Sequence, residues 1–177
     1  MPRVPPADFE PALRKRLEEL WGTPPNLYRG LGNHPALVAA WTEFSKMLRH
    51  DTRTPRALRE LVILRGGQLM RSEYEWAQHL KMARKAGVSE EQISELASWR
   101  TSSRFNPKEK AALAIAEDVT NGKMSDETYA LAMQHFDHHD YVELCAVAAF
   151  YAMVGRMLDA MGIELEPDFK NYSPKLP

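Results

Sequence analysis

Polar side chains are concentrated between residues 60 and 79, around a short polar break that follows an apolar segment. Four of them are candidate catalytic residues: Glu60, Tyr74, Glu75 and His79. Glu60 lies among apolar residues, and a carboxylate beside a core must either find a partner or shift its pKa upward. In either case, Glu60 is a candidate general acid or base. The alternative is an ordinary ion pair with Arg56 or Arg65 on a solvated helix face.

Glu75 and His79 are four residues apart, which places them one turn apart on the same face of a helix. A carboxylate there orients the imidazole, fixes its tautomer and raises its basicity, as a proton-transfer pair requires. The spacing also fits an ordinary surface pair, or two metal ligands without an evident third, and we predict no metal site. Tyr74 is a candidate donor to a developing oxyanion, or it simply packs.

Three further residues at the break are candidate substrate-binding residues: Arg71, Ser72 and Trp76. Arg71 suits a bidentate contact with a substrate carboxylate, although it is equally typical of a solvated turn. Ser72 and Glu75 also form a capping-box pattern, and Trp76 has the ordinary alternative of packing. If Glu75 caps the helix it cannot also hold His79, so the two interpretations conflict.

Helices must position these groups, because apolar residues recur at helical spacing and β-branched residues never alternate over a strand length. We therefore predict an all-α protein. Proline and N-cap signals place helices at about residues 9–21, 35–49, 55–69, 73–86, 89–98, 106–121, 125–134 and 140–161. The last helix is apolar nearly all round, as in a central or interface helix. Arg156 within it needs a partner, either Glu60 across the core or Asp159.

The composition fits one domain of 177 residues, with 23 basic and 24 acidic residues interspersed along the chain. We expect N-terminal helices over residues 1–50, a core over 51–163 and a polar tail over 164–177, either disordered or lying on a neighbour. The balanced charge disfavours binding to nucleic acid.

We expect no membrane span, and the single cysteine, Cys145, fits a reducing, cytoplasmic location. The acid and histidine residues at 135–140 are interpreted as a helix cap rather than a metal cluster.

The pattern RxLRELVIL, the polar break and then EYEWAQHxxMARKAGVSEEQI resembles the carboxymuconolactone decarboxylase and alkylhydroperoxidase-D-like superfamily, over about Leu48 to Ile163. The resemblance implies a single-domain bundle of about seven to eight helices. It also implies a homo-oligomer, and the wide apolar helix faces favour the same state, as a dimer, trimer or hexamer.

In the peroxidase branch of this superfamily, two cysteines stand where this chain has Ser72 and Glu75. Thiol–disulfide exchange needs a thiolate, so we do not expect peroxidase activity by disulfide chemistry. The decarboxylase branch has Glu and His four apart, which Glu75 and His79 match. The resemblance thus implies a cofactor-free acid/base reaction on a small carboxylated lactone or ring acid.

The competing hypothesis is a non-catalytic, oligomeric protein that uses this fold for structure or for binding a small ligand. An enclosed pocket at which Glu60, Tyr74 and His79 converge favours the enzyme, whereas a filled and dry site favours the alternative.

Overall fold

The computed structural model describes residues 2–170, which form ten α-helices and one 3-10 turn. The predicted all-α class is confirmed, and the helix number exceeds seven to eight because short helices escape a count of periodic segments. Residues 171–177 of the predicted tail lie outside the described residues. The elements are α1 (Pro11–Trp21), α2 (Asn26–Leu31), α3 (Pro35–His50), α4 (Arg56–Leu69), α5 (Glu73–Ala86), α6 (Glu90–Glu95), the 3-10 turn (Leu96–Ser98), α7 (Pro107–Asn121), α8 (Asp126–Met133), α9 (His138–Met161) and α10 (Pro167–Lys170).

Helix α4 lies at the centre of the fold and packs against α5, α7 and α9. Every residue from Leu58 to Leu64 is buried, which accounts for the breadth of its apolar stripe. The largest hydrophobic cluster combines Leu17 of α1 and Trp41 of α3 with Leu144 and Leu158 of α9. The N-terminal helices therefore share one core with α9.

Helix α9 is long and apolar enough to cross a membrane by length and composition alone, although we predicted no membrane span. Half of its most apolar stretch is buried within the protein, and the helix packs against α3, α4 and α7. A central core helix meets the same criteria, and α9 has that position here.

Charged residues of α9 have partners in other parts of the chain. Arg156 is exposed and donates from Nη2 to the Thr120 carbonyl over 3.3 Å. Neither of its two candidate partners, Glu60 across the core and Asp159 on the same helix, forms an ion pair with it within residues 2–170. Asp137 is the N-cap and accepts from the Asp140 amide at 2.9 Å, as the capping interpretation predicted. Arg53 binds both of these carboxylates, with Nε 2.7 Å from Asp140 Oδ1. This cluster of acids is thereby matched by a cation of the chain itself.

A carboxylate from α9 organises the start of α4. We expected Thr54 as N-cap and Pro55 in the first turn, but α4 begins one residue later, with Pro55 as N-cap and no side-chain cap. Glu143 instead accepts from the Arg53 and Thr54 amides, each at 2.8 Å, and from the Thr54 hydroxyl. The acceptor lies far along the chain, which is why the local pattern could not show it.

We predict that Glu143→Ala lowers the free energy of unfolding by about 1 to 2 kcal/mol at pH 7, because these donors lose their acceptor. Partial burial raises the pKa of Glu143, but the hydrogen bonds from Thr54 and the Arg53 amide outweigh it and hold the pKa below its ordinary value. The contribution is therefore complete above the ordinary carboxyl pKa and is lost as the pH falls through the lower folded pKa.

Urea unfolding at a series of pH values from 7 downward measures this effect, with the exposed Glu19→Ala as the control. A cost for Glu143→Ala that stays constant as the pH falls would contradict the prediction.

Candidate active site

Glu60 and His79 form a buried hydrogen bond between α4 and α5. Glu60 is 0% exposed, and its Oε2 lies 2.8 Å from Nδ1 of His79. Arg56 donates from Nε to Oε1 over 2.6 Å. Burial raises the pKa of the Glu60 carboxyl, but His79 and Arg56 outweigh burial and hold the pKa below its ordinary value. Glu60 is thus an ionised acceptor for the Nδ1 proton, and the predicted pairing with Arg56 exists in the core rather than on a solvated face.

The turn between α4 and α5 decides the role of Glu75. Arg71 adopts a positive φ of 53°, and the Ser72 amide donates to the Gly67 carbonyl over 2.9 Å, as in a Schellman motif. Ser72 Oγ then accepts from the Glu75 amide at 3.3 Å and caps α5. The reciprocal half of the capping box is absent, because the Ser72 amide already has a partner. The Glu75 carboxylate is therefore not engaged as a cap.

The Glu75 carboxylate lies beside the second ring nitrogen of His79. Its Oε2 is 3.6 Å from Nε2, which is longer than a hydrogen bond, and has no hydrogen-bond partner within residues 2–170. Glu75 is only 4% exposed, and burial raises its pKa to about 7 although His79 and Arg49 oppose the shift. This carboxyl group consequently exchanges a proton near neutral pH.

Glu75 and His79 line a cavity of about 110 Å³ between α5, α9 and the N-terminal helices. The imidazole also packs edge-on against the ring of Tyr151, with centroids 4.7 Å apart. Glu60 lies behind His79 and is not part of the wall. The other lining residues are mainly aromatic and apolar: Trp21, Pro25, Leu27, Tyr28, Trp41, Arg49, Tyr74, Gln78, Met82, Phe150, Tyr151 and Val154.

Tyr74 lines the cavity, but its hydroxyl donates to Glu166 Oε1 over 2.7 Å. The side-chain Nε2 of Gln78 donates to the other oxygen of Glu166 over 2.6 Å, and the backbone amide of Asn26 donates to Oε1 over 2.6 Å. Burial and the Glu166 carboxylate both raise the pKa of Tyr74. The expectation that the tail is disordered or lies on a neighbour is thus wrong for residues 164–166, which contact the same chain.

The structure does not bring the three predicted substrate-binding residues to this cavity. Arg71 is exposed in the turn, where the backbone directs it away from the core. Ser72 serves as the N-cap. Trp76 is 1% exposed and packs with Leu64 and Leu80 in a second hydrophobic cluster, so it faces the opposite side of α5. Their positions give no support to contact with a bound molecule.

Three residues of the site were missed from the sequence: Arg49, Tyr151 and Glu166. Each lies outside the segment 60–79, on α3, on α9 and after α9 respectively. The aromatic residues of α9 were interpreted as part of a central or interface helix, and Arg49 served only as the approximate end of the helix predicted from residue 35. Without knowledge of how α3 and α9 pack against α5, no local pattern identifies them.

The single cysteine lies apart from this constellation. Cys145 is partly buried on α9 beside Tyr141 and does not line the cavity. Burial raises the pKa of its thiol, which opposes thiolate formation. The cavity wall therefore presents a carboxyl group and an imidazole but no thiol.

Comparison with known proteins identifies the class to which the chain belongs. The pattern of the carboxymuconolactone decarboxylase family matches residues 35–118. The uncharacterized protein YdfG of Bacillus subtilis strain 168 is 32% identical over 110 residues, which is 60% of this chain and 75% of YdfG. The chain belongs to the carboxymuconolactone decarboxylase family, as its motif predicted.

Solved structures confirm an alkylhydroperoxidase-D-like fold. The apo debrominase Bmp8 superposes with a TM-score of 0.81 at 19% identity, over 94% of this chain and 92% of Bmp8. A cysteine-to-alanine variant of Bmp8 in complex with 2,3,4-tribromopyrrole has a TM-score of 0.80 at 19% identity, over 95% and 94%. An alkylhydroperoxidase AhpD core protein from Ralstonia eutropha JMP134, described as peroxidase-related, has a TM-score of 0.81 at 18% identity, over 95% and 94%. At such identities the similarity establishes the fold alone.

We predict that Glu75→Gln becomes increasingly stabilising as the pH rises from 5 to 8. Burial raises the pKa of the folded Glu75 carboxyl from its ordinary value to about 7. The folded state therefore binds the proton more tightly, and this contribution is complete below the unfolded pKa and lost as the pH rises through about 7. A neutral amide avoids that loss, so we expect a relative gain of about 1 to 3 kcal/mol over this range.

Chemical denaturation at pH 5, 6, 7 and 8 measures the difference from the unsubstituted protein. Glu73→Gln, in the same first turn but exposed, is the matched control for removing a carboxylate from this end of the helix. If the stability difference for Glu75→Gln does not change between pH 5 and pH 8, the buried carboxyl does not titrate as described.

Proposed function

We propose that this protein is a general acid/base enzyme that acts on a small carboxylated lactone or ring acid without thiol chemistry. The observation that carries the proposal is the buried Glu75 Oε2, which lacks a hydrogen-bond partner in the described residues and lies 3.6 Å from His79 Nε2 at the cavity wall. An unsatisfied buried polar atom costs stability, and such a cost is expected where a site is kept ready for a ligand.

In this proposal His79 transfers the proton. Its Nδ1 is occupied by the ionised Glu60, so the Nε2 position exchanges protons with the cavity. Glu60 acts through His79 as a positioning residue, because it fixes the tautomer and stabilises the imidazolium while the ring is charged. The dense packing of the ring against Tyr151 restricts its orientation further.

Glu75 supplies and recovers the proton. A carboxyl group with a pKa of about 7 is protonated in a large share of molecules at neutral pH and passes its proton to Nε2 after a small side-chain movement. The pair then holds one exchangeable proton, either on Glu75 or on His79. This arrangement favours reactions in which a carbanion or enolate must be protonated.

Decarboxylation of an unsaturated lactone acid is such a reaction. The bond between the ring carbon and the carboxylate breaks, carbon dioxide leaves, and the electron pair enters the conjugated ring as an enolate. Glu75 passes its proton to Nε2 of His79, His79 delivers that proton to carbon, and the ionised Glu75 regains a proton from water. Tyr74 takes no part in this reaction, because its hydroxyl already donates a hydrogen bond to Glu166.

The size and chemistry of the cavity support a small ring substrate. A volume of about 110 Å³ compares with the roughly 150 Å³ of an engineered cavity that binds benzene. Aromatic walls suit a flat, partly apolar molecule. The chain has one cysteine, which lies outside the cavity, so a cysteine pair of the peroxidase kind has no counterpart here.

The test is a screen of small lactone acids and ring carboxylates, with turnover followed by carbon dioxide release. We predict that His79→Ala lowers kcat/KM by at least about 100-fold on any substrate found, because general acid/base catalysis contributes about that much. Circular dichroism and thermal unfolding check that the variant is folded.

His138→Ala is the control, since His138 is exposed in the first turn of α9 and does not line the cavity. It should retain the unsubstituted rate. Full turnover by the folded His79→Ala protein would remove the proposed role of the histidine.

A further inference from the structure

The cavity contains a cation, Arg49, that the mechanism above does not use. Arg49 lies in the last turn of α3, and its guanidinium stands over the ring of Trp21, with Cζ 5.1 Å from the ring centroid. Its Nε is buried and has no hydrogen-bond partner among residues 2–170. A fixed guanidinium with an unused donor is thus part of the wall.

Within residues 2–170 no carboxylate lies within ion-pair distance of the part-buried Arg49 guanidinium. The part-buried Arg56 and Arg65 do have one, since Arg56 pairs with Glu60 and Arg65 with Glu117. The buried Arg59 also lacks a carboxylate within ion-pair distance in these residues, but it donates to the Thr54 and Arg49 carbonyls. Glu75 is the acid of the same cavity, and burial favours its neutral form. Burial lowers the pKa of Arg49, but Tyr151 and Tyr28 outweigh burial, so the guanidinium stays charged.

The remaining cavity walls do not balance this charge. The ionisable side chains that line it are Arg49, Glu75, His79 and the tyrosines, whereas the rest are apolar or amide groups. Burying a cation without a counter-charge is costly, and the cost is removed when a bound anion supplies the charge. Arginine matches a carboxylate in particular, because its donors meet both oxygens.

We propose that Arg49 is the residue that selects an anionic substrate, holding its carboxylate while the planar ring lies against Trp21 and the other aromatic walls. This deepens the proposed function and rests on it for the reaction, but not for binding. A carboxylate that leaves as carbon dioxide loses its charge, so holding it on Arg49 would stabilise the ground state more than the transition state. The group on Arg49 is therefore a second anionic group of the substrate, one that keeps its charge during turnover.

The kinetic consequence separates anchoring from catalysis. An interaction that is equal in the ground state and the transition state raises KM when it is removed and leaves kcat nearly unchanged. On a substrate found by the screen, Arg49→Gln should therefore raise KM about tenfold or more with kcat within about threefold. A fall in kcat at constant KM would overturn the anchoring role.

Binding can be tested without a known substrate. The probes are furoate, a planar five-membered ring carboxylate, and furamide, its uncharged counterpart, measured by calorimetry or ligand-observed NMR on the full chain. We expect furoate to bind the unsubstituted protein more tightly than furamide. Arg49→Gln should weaken furoate binding about tenfold or more and leave furamide binding unchanged, which also shows that the cavity persists.

Two further variants make the result decisive. Arg104→Gln, at an exposed position that does not line the cavity, should bind furoate as the unsubstituted protein does. Arg49→Lys, which keeps the charge but loses the planar fork, should retain part of the preference for furoate. Equal affinity for both probes in the unsubstituted protein overturns the proposal. So does loss of both probes from Arg49→Gln without recovery in Arg49→Lys, because Arg49 would then shape the cavity only.

The histidine variant distinguishes this proposal from the proposed function. His79→Ala should bind furoate within about threefold of the unsubstituted affinity, since Arg49 carries the recognition. Turnover that survives in His79→Ala would contradict the proposed chemistry while leaving the Arg49 result intact. A furoate preference that disappears in His79→Ala assigns anion recognition to the histidine and overturns the role of Arg49.

Discussion

A carboxylate without any exposed surface constrains the whole site. Glu60 lies in the middle of α4, the helix that contacts three others, and its charge is sustained by Arg56 one turn earlier and by His79 of α5. A buried ionised group requires such partners, because losing one leaves an uncompensated charge in the core. The hydrogen bond from His79 therefore sets how α5 lies against α4 as well as which imidazole nitrogen faces the cavity.

The turn that joins these helices determines the chemistry available to Glu75. The Ser72 amide could donate either to the Gly67 carbonyl at the end of α4 or to a capping carboxylate in α5. It donates to the Gly67 carbonyl. This hydrogen bond requires Arg71 to adopt a left-handed conformation, which costs a residue other than glycine about 1 kcal/mol. The Glu75 side chain is consequently released from the helix end and lies beside His79 in a buried environment.

Local spacing was sufficient to predict the long helices, and it gave the position of Glu75 beside His79 as one of two alternatives. Helix α5 and the last helix were predicted within about two residues, because serine caps and glycine stops are local signals. The start of α4 was misplaced because Glu143, from a distant helix, supplies its acceptors. The prediction of the arginine that binds the substrate failed for the same reason. Arg71 was chosen because it is near His79 in the sequence, whereas Arg49 lines the same cavity as His79 in the folded protein. Side chains brought together by the packing of α3 and α9 leave no pattern within a single segment.

Two carboxyl groups flank one imidazole, and their environments differ in a way that assigns their roles. Both are buried, and burial raises the pKa of each, but Glu60 receives hydrogen bonds from Arg56 and His79 whereas Glu75 Oε2 receives none within the described residues. The pKa of Glu60 therefore falls below its ordinary value while that of Glu75 rises to about 7. Titratable groups whose pKa values are driven apart in this way separate a permanent charge from an exchangeable proton. Under the proposed function the proton therefore moves on the Nε2 side of His79, toward the cavity, where Arg49 supplies the positive charge for an anionic substrate.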